Sequence, residues 1–263
     1  MKAIIFEIQR TSFVDGPGIR TTVFFKGCNL RCRWCHNPES QQPMPQMMYF
    51  KDKCTGCGEC RKVCRYNFER CDLCGECVKH CLYNARKICG REYTVDEVFD
   101  EIKKDKVFYE ASGGGVTFSG GECMLQTEFL AEILKKCREN GINTAVDTAG
   151  DTEFDRFEKV IPYTDIFLYD IKALSDNIHI KYTGTSNKRI LENLRRISED
   201  GRCDIIIRTP VIPSVNDNPK ELKKITDFIK KINCKKIEFL PYNPMAKYKY
   251  DALDMEFYNY VQE

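Results

Sequence analysis

The chain has 263 residues, of which 42% are apolar and 30% are charged. This balance is typical of a globular chain with one large domain or two small ones, and it excludes a disordered or fibrous protein. The 41 Lys and Arg residues against 39 Asp and Glu residues give a net charge of +2, which is too small to indicate nucleic acid or an anionic membrane as a partner.

The N-terminal residues carry charges within a short apolar run, and no run of about 18 apolar residues occurs in the chain. We therefore expect neither a signal peptide nor a membrane span, and we expect a cytoplasmic location. The chain has 16 Cys and three His residues. In a compartment that keeps thiols reduced, so many cysteines indicate metal binding rather than disulfides.

Short apolar runs predict strands, and the amphipathic stretches between them predict helices. The predicted strands are 19–25, 116–118, 144–146, 166–171, 205–207 and 237–240, with 3–8 as an additional edge strand. The predicted helices are 95–104, 125–140, 154–160, 190–198 and 222–232. This alternation predicts an α/β fold with a parallel sheet, arranged as a partial (β/α)6 TIM-type barrel.

Residues 51–87 interrupt this alternation and are interpreted as an inserted module. Eight of these 37 positions are Cys, and apolar periodicity is nearly absent. Side chains alone therefore cannot build a core there, and another group has to order the segment. The predicted organisation is a barrel of residues 1–50 and 88–263 with an iron-sulfur insert of residues 51–87.

Cys28, Cys32 and Cys35 form a Cx3CxxC motif directly after the first predicted barrel strand. Three thiolates so close together can bind three corners of a 4Fe-4S cube and leave the fourth iron open to a ligand. The alternative is a zinc site completed by His36 or by a distant group. Zinc sites favour CxxC motifs in pairs, however, and no comparable motif pairs with this one.

The insert contains two copies of the bacterial ferredoxin motif CxxCxxCxxxC, in which the fourth cysteine ligates the other cluster. This rule assigns two ligand sets, namely Cys54, Cys57, Cys60 and Cys81 for one auxiliary 4Fe-4S cluster, and Cys64, Cys71, Cys74 and Cys77 for the other. Only six residues separate the copies, and Pro follows neither fourth cysteine, so uncrossed ligation stays open. Because the protein supplies every ligand, these clusters are predicted to carry electrons and not to bind substrate.

Polar residues at the ends of the later strands would meet at one edge of the sheet. Gly120 and Gly121 allow a ligand to approach the backbone, and Glu122 can accept hydrogen bonds from an ammonium group. Further strand ends carry Asp147, Asp170, Lys172 and Arg208. Taken singly, each charge is more often a solvated loop residue or a cap, but together they suit a ligand with both an amine and a carboxylate.

These motifs resemble those of the radical S-adenosylmethionine (SAM) enzymes and, within them, of the glycyl radical enzyme activating enzymes, the pyruvate formate-lyase activating enzyme-like family. The resemblance covers nearly the whole chain. The segments that carry it are 15–38, 112–122, 147–150, 169–172, 182–184, 211–217 and 240–242. The insert is similar to that of the subgroup with two ferredoxin-like clusters.

The resemblance implies SAM and three 4Fe-4S clusters as cofactors, with one cluster on Cys28, Cys32 and Cys35 that binds SAM. It also implies a set of SAM contacts. These are Trp34 and His36 at the adenine, Gly120, Gly121 and Glu122 at the amino group, Asp147, Asp170, Lys172 and Arg208 at the methionine and ribose end, and Asn243 at a position where many relatives have His.

The implied activity is reductive cleavage of SAM to a 5′-deoxyadenosyl radical, which abstracts hydrogen from a glycine of a partner glycyl radical enzyme. The implied partners are that enzyme and a low-potential electron donor such as flavodoxin or ferredoxin. Two alternatives stay open: a radical SAM enzyme that acts on a small molecule or peptide, and an iron-sulfur electron carrier without SAM chemistry. The carrier would leave the first cysteine group and the Gly-Gly-Glu loop unexplained.

Overall fold

The structure, a computed structural model, describes residues 1–261. The strands in this part of the chain are β1 Lys2–Ser12, β2 Arg20–Phe25, β3 Gln46–Tyr49, β4 Arg86–Cys89, β5 Arg91–Thr94, β6 Gly115–Gly120, β7 Asn143–Thr148, β8 Ile166–Asp170, β9 Asp204–Val211 and β10 Lys236–Pro241. The helices are α1 Glu59–Lys62, α2 Glu76–Lys79, α3 Val95–Ile102, α4 Lys106–Ser112, α5 Thr127–Glu139, α6 Phe154–Val160, α7 Asp176–Thr183, α8 Lys188–Asp200, α9 Pro219–Ile229 and α10 Lys247–Ala252.

Eight strands form one mostly parallel sheet in the order β10-β9-β8-β7-β6-β2-β1-β5. Six of these strands are parallel to one another and neighbour each other in chain order, as expected from the alternation of strands and helices. They are β2, β6, β7, β8, β9 and β10. β1 is antiparallel to both of its neighbours. The prediction that residues 3–8 form the edge strand is wrong, because β5 pairs outside β1 with Thr94 opposite Lys2. The four-residue β5 has no apolar run that could have revealed it.

The main core lies between one face of the sheet and the helices packed on it. The Phe25 ring centroid in β2 lies 5.9 Å from that of Phe129 in α5, and Phe157 in α6 lies 5.8 Å from Phe167 in β8. Strand residues that point to the opposite face form a smaller buried cluster, which consists of Ala145, Ile166, Leu168 and Ile206. Burial on both faces explains why these strands are continuous apolar runs rather than alternating ones.

The two-stranded sheet of β3 and β4 brackets the cysteine-rich segment. Gln46 pairs with Cys89, and Tyr49 pairs with Arg86, so the chain enters and leaves the cysteine-rich segment at neighbouring positions. Met48, Phe50 and Cys89 pack against Ala252 of α10 in a separate small core. Side chains alternate along a strand, so Met47 and Tyr49 face the opposite way, toward the cysteines.

Each predicted barrel strand and helix occurs within a few residues of its expected bounds, and α6 has the expected bounds. The helices α4, α7 and α10 and the β3–β4 sheet are not predicted by the pattern. In α4, Val107 and Phe108 are exposed, so its apolar residues do not form a buried stripe. These elements are short and are held by tertiary contacts rather than by periodicity.

Arg20, at the start of β2, is fully buried and joins three strands at their amino ends. Its guanidinium donates to Thr117 Oγ1 at 2.7 Å, to Val116 O at 2.6 Å and to Asn143 Oδ1 at 3.1 Å. It also donates to Pro17 O at 3.1 Å, which holds the loop before β2. Burial lowers the pKa of Arg20 to about 10, so the group stays charged at neutral pH.

Replacing Arg20 with Met keeps a long side chain but removes every donor. We expect the free energy of unfolding to fall by about 3 kcal/mol, because several buried carbonyl and side-chain oxygens lose their partners. Urea unfolding of the anaerobically purified protein measures this loss. The control is Arg195→Met, an exposed ion-pair residue on α8, which should change stability by less than about 0.5 kcal/mol. Equal losses from both variants would contradict the role assigned to Arg20.

Candidate functional site

A cavity of about 650 Å³ opens at the carboxyl ends of the parallel strands. Its wall includes residues from the ends of β2, β6, β7, β8, β9 and β10, and residues of β1 form another part of the lining. In α/β folds with parallel strands, ligands bind at the carboxyl edge of the sheet, because loops from several strands converge there.

Cys28, Cys32 and Cys35 all line this cavity. Burial raises the pKa of the Cys28 and Cys32 thiols to about 12 and also raises that of Cys35. At neutral pH such thiols stay protonated unless a bound cation displaces the protons. The donor set therefore fits a metal cluster that replaces three protons.

The cysteine loop is fixed by backbone hydrogen bonds on two sides. Gly27, where the loop begins, donates its N–H to the carbonyl oxygen of Ser40, where the loop ends, at 2.7 Å. Arg31 N donates to Thr183 O at 2.7 Å, and Arg33 N donates to Tyr182 O at 3.0 Å, which docks the loop on the end of α7. A site anchored in this way does not have to order itself when it binds a ligand.

The helix α10 also holds the cysteine loop, although no sequence motif indicates this role. Lys249 Nζ donates to His36 O at 3.2 Å and to Asn37 Oδ1 at 2.8 Å, and it pairs with Glu39 Oε1 at 2.7 Å. Tyr250 OH donates to Cys35 O at 2.9 Å. Nothing in the local pattern marks these residues, because they lie more than 200 positions from the cysteines.

The Gly-Gly-Glu loop after β6 contacts the start of the cysteine loop. Gly121 N donates to Phe25 O at 2.9 Å, and Glu122 N donates to Gly27 O at 2.8 Å. A Cβ atom on Gly121 would lie 2.3 Å from Gly27 O, so only glycine allows this approach. Gly120 and Gly121 line the cavity.

Glu122 is fully buried and is not among the residues that line the cavity. Its carboxylate accepts hydrogen bonds from Thr148 Oγ1 at 2.8 Å, Ala149 N at 3.0 Å and Met124 N at 3.1 Å. Burial raises the pKa of Glu122 to about 7 despite these bonds. Its carboxylate thus joins the loops after β6 and β7, and both of these loops line the cavity.

Four charged residues form two ion pairs across the cavity wall. Lys172 Nζ lies 2.7 Å from Asp170 Oδ2, and Arg208 Nη1 lies 3.5 Å from Asp147 Oδ2. The Asp147 carboxylate raises the pKa of Arg208. The Nε and Nη1 atoms of Arg208 are buried and have no hydrogen-bond partner among the described residues. Buried donors without a hydrogen-bond partner are rare in folded proteins, so these two atoms are candidates to donate to a ligand.

Aromatic side chains cover the other end of the cysteine loop. The Trp34 ring centroid lies 6.3 Å from that of Tyr182 and 6.5 Å from that of Tyr260. Trp34, His36 and Asn243 line the cavity. The Asn243 Oδ1 atom accepts a hydrogen bond from Met245 N at 2.9 Å. Burial lowers the pKa of His36, so the imidazole is neutral at neutral pH.

The structure therefore brings nine of the ten predicted SAM contacts to one cavity together with the three cysteines. Glu122 is the exception. The nine residues are Trp34, His36, Gly120, Gly121, Asp147, Asp170, Lys172, Arg208 and Asn243.

The cysteines of the insert line two further cavities. One is lined by Cys54, Cys57, Cys60 and Cys81, and the other is lined by Cys64, Cys71, Cys74 and Cys77. The two copies also share local geometry, because Phe68 N donates to Cys64 Sγ at 3.4 Å and Ala85 N donates to Cys81 Sγ at 3.3 Å. Each set of four cysteines lines its own cavity. Within residues 1–261, however, no group of three or more Cys, His, Asp or Glu side chains is arranged closely enough to hold a single metal ion.

Within the described residues, no helix is both long and apolar enough to cross a membrane. Residues 22–229 match the radical SAM superfamily. The chain is 45% identical to the trans-4-hydroxy-L-proline dehydratase activating enzyme of Clostridioides difficile, over 96% of this chain and 88% of that protein. It is 40% identical to the choline trimethylamine-lyase activating enzyme of Oleidesulfovibrio alaskensis, over 97% and 88% of the two chains.

Among solved structures, a radical SAM methyltransferase from Sphaerobacter thermophilus matches with a TM-score of 0.53 at 14% identity. This match covers 91% of the present chain and 67% of the other chain. At this level of identity the likeness concerns the fold alone, and it agrees with the mostly parallel sheet described above.

The raised pKa of Glu122 predicts a pH dependence of stability. The unfolded carboxyl group titrates near 4.5 and the folded one near 7, so the protonated group favours the folded state and this stabilisation is lost as the pH rises. Between pH 6 and pH 8 the loss should be about 1 kcal/mol. Urea unfolding of the protein and of Glu122→Gln across this range measures it. The difference between their free energies of unfolding should change with pH, and parallel profiles would contradict the prediction.

Proposed function

The chain belongs to the radical SAM superfamily and, within it, to the glycyl radical enzyme activating enzymes, and from this membership we propose how its residues support the activity. The protein is an enzyme that activates a partner glycyl radical enzyme. Membership in this family disfavours both a carrier without SAM chemistry and a small-molecule or peptide substrate.

The observation that carries the proposal is the shared cavity of Cys28, Cys32, Cys35 and the charged strand ends. The three thiols would hold a 4Fe-4S cluster with one iron open to SAM. When bound, this cluster supplies the electron that cleaves SAM to methionine and a 5′-deoxyadenosyl radical, which takes a hydrogen atom from the partner's glycine. The protein binds, orients and excludes water around this chemistry.

The polar wall of the cavity suits SAM, which carries an amine, a carboxylate and a ribose. The Nε and Nη1 atoms of Arg208 form no hydrogen bond within the described residues and can donate to a carboxylate or ribose oxygen. Asp147 and Asp170 can accept from an amine or hydroxyl group, and the backbone at Gly120 and Gly121 lies open to the ligand. Glu122 acts as a positioning residue, because its contacts with Thr148 and Ala149 hold two loops of the wall.

Trp34, His36 and Asn243 would face the adenine end of SAM. This placement is supported by two observations: Trp34 and His36 flank Cys35 in the chain, and all three residues line the same cavity as the strand-end charges. Because the Asn243 carbonyl oxygen already caps the following turn, its amide NH2 group is the part available to SAM.

We propose that the six parallel strands are a partial (β/α)6 barrel whose missing quarter admits a loop of the partner. The side of the cavity toward β1 supports this proposal, because Asp15 and Val14 line it and His36 faces the same space. Phe13 and Val14 are 73% and 77% exposed. Large exposed apolar side chains beside an active site suit a protein partner.

The insert 51–87 is proposed as a ferredoxin-like module with two auxiliary 4Fe-4S clusters, separate from the barrel of 1–50 and 88–263. The two cavities support crossed ligation, since each one is lined by three cysteines of one motif and the fourth cysteine of the other. The backbone donors to Cys64 Sγ and Cys81 Sγ suit thiolates. A low-potential donor such as flavodoxin or ferredoxin would deliver electrons in the cytoplasm.

The activity is tested by SAM cleavage under reduction. Anaerobically reconstituted protein with dithionite and SAM should form 5′-deoxyadenosine, measured by liquid chromatography. Cys32→Ala should lower the rate by more than about 100-fold, the upper range for losses of supporting residues around metals. Cys234→Ala, a partly buried cysteine outside the three motifs, should leave the rate within about twofold. Cleavage that survives Cys32→Ala would overturn the assignment.

The partner is tested by electron paramagnetic resonance. We expect a glycyl radical on a candidate partner incubated with this protein, SAM and reductant. The panel should include a trans-4-hydroxy-L-proline dehydratase and a choline trimethylamine-lyase, because activating enzymes of both are relatives. A partner whose radical glycine is changed to Ala serves as the matched control. Cleavage of SAM without a radical on any partner would favour a different substrate.

Iron content tests the number of clusters and their ligation. The protein should hold about 12 irons per chain, four for each cluster. Under crossed ligation, the double variant Cys54→Ala, Cys81→Ala should lose about four irons, and Cys54→Ala, Cys64→Ala should lose about eight. The opposite order of losses would show uncrossed ligation, and equal losses would contradict both schemes.

A further inference from the structure

Arg86 is the one residue that lines both cavities of the insert among the described residues. It is the first residue of β4 and pairs with Tyr49 of β3, at the point where the chain returns from the insert. The guanidinium therefore lies between the cysteine set of Cys54 and the cysteine set of Cys64.

Two aromatic faces hold the guanidinium in this position. Its central carbon lies 4.5 Å from the Tyr49 ring centroid and 4.1 Å from the Phe68 ring centroid. The Nε atom is buried and has no hydrogen-bond partner among the described residues. A guanidinium held between rings keeps its planar shape and its charge, but it forms few hydrogen bonds.

Within the described chain, no carboxylate lies within ion-pair distance of Arg86. Its neighbour Arg65, in contrast, lies 3.3 Å from Asp72 Oδ2 and is largely exposed. Arg86 is half-buried, and an unpaired charge that is partly removed from water acts more strongly on a charge beside it than a fully solvated charge does. The protein thus keeps one uncompensated positive charge between two sets of four thiols.

We propose that Arg86 is a potential-tuning residue shared by the two auxiliary clusters, whose guanidinium stabilises the reduced form of each and weakens the repulsion between them. This inference rests on the proposed function, since it requires both clusters. Reduction adds one negative charge to a cluster that is already anionic, so a nearby cation raises its reduction potential. A cation between two clusters also stabilises the state in which both are reduced.

Each transfer to or from an auxiliary cluster would move one electron. An external low-potential donor of the flavodoxin or ferredoxin class is oxidised by one electron, and one auxiliary cluster is reduced by the same electron. The cluster returns to its oxidised form when it passes that electron on. Arg86 gains and loses no electron, because it acts only through its charge.

The test is a potentiometric titration followed by electron paramagnetic resonance. Wild type and Arg86→Gln are compared in a background in which Cys28, Cys32 and Cys35 are Ala, so that only the auxiliary clusters are observed. At a fixed potential, the ratio of reduced to oxidised form should fall about tenfold for both clusters in Arg86→Gln, which corresponds to about 59 mV for one electron.

The control is Arg70→Gln. Arg70 lines only the cavity of Cys64 and stacks 4.0 Å from the Tyr66 centroid, so it should affect one cluster at most.

Unchanged ratios for both clusters in Arg86→Gln, with about eight irons retained, would overturn the proposal and leave the proposed function intact. Fewer irons in the unmutated insert would instead remove the auxiliary clusters, and this proposal with them. If Arg86→Gln itself loses iron, the variant Arg86→Lys distinguishes a role of the charge from a purely structural role, because Lys keeps the charge. Retained clusters in Arg86→Lys would support the charge role, whereas the same loss in both variants would show that the residue only holds the fold.

Discussion

The site depends on the burial of three thiols at one wall of a polar cavity. Desolvation raises the pKa of Cys28 and Cys32 to about 12, so these groups are neutral unless a cation replaces their protons. An iron-sulfur cluster on these thiols would satisfy this requirement, and three ligands would leave one iron for SAM. The remaining features of the site hold the thiols in the same cavity as the groups proposed to bind SAM.

Three separate elements fix the cysteine loop. The end of α7 accepts hydrogen bonds from its backbone, α10 donates to the carbonyl groups of Cys35 and His36, and the Gly121 loop packs against Gly27. The supports come from distant parts of the chain. A loop held from several sides keeps its ligands in place before SAM binds, which lowers the entropy cost of binding.

The cysteine-rich segment 51–87 differs from the rest of the chain in that it has almost no hydrophobic core. Its cysteines are half-buried or exposed, except Cys77, and few apolar side chains support them. The β3–β4 sheet separates this segment from the main chain body, with Met48 and Phe50 packed against α10 on one face and the cysteines on the other. The proposed clusters would take the place of a hydrophobic core here, as metal ions do in other small metal-binding modules.

Periodicity and motif spacing are local signals, and they predict the parallel order of the strands, the three cysteine groups and six residues of the cavity wall. The other three predicted wall residues, Trp34, His36 and Asn243, follow only from the resemblance to the family. Three features become visible only in the folded chain: Glu122 joins two loops instead of lining the cavity, β5 rather than β1 forms the edge of the sheet, and Lys249 and Arg86 approach the cysteines. These features depend on contacts between residues far apart in the chain. No local pattern encodes such contacts, since they arise only when the packed core brings the elements together.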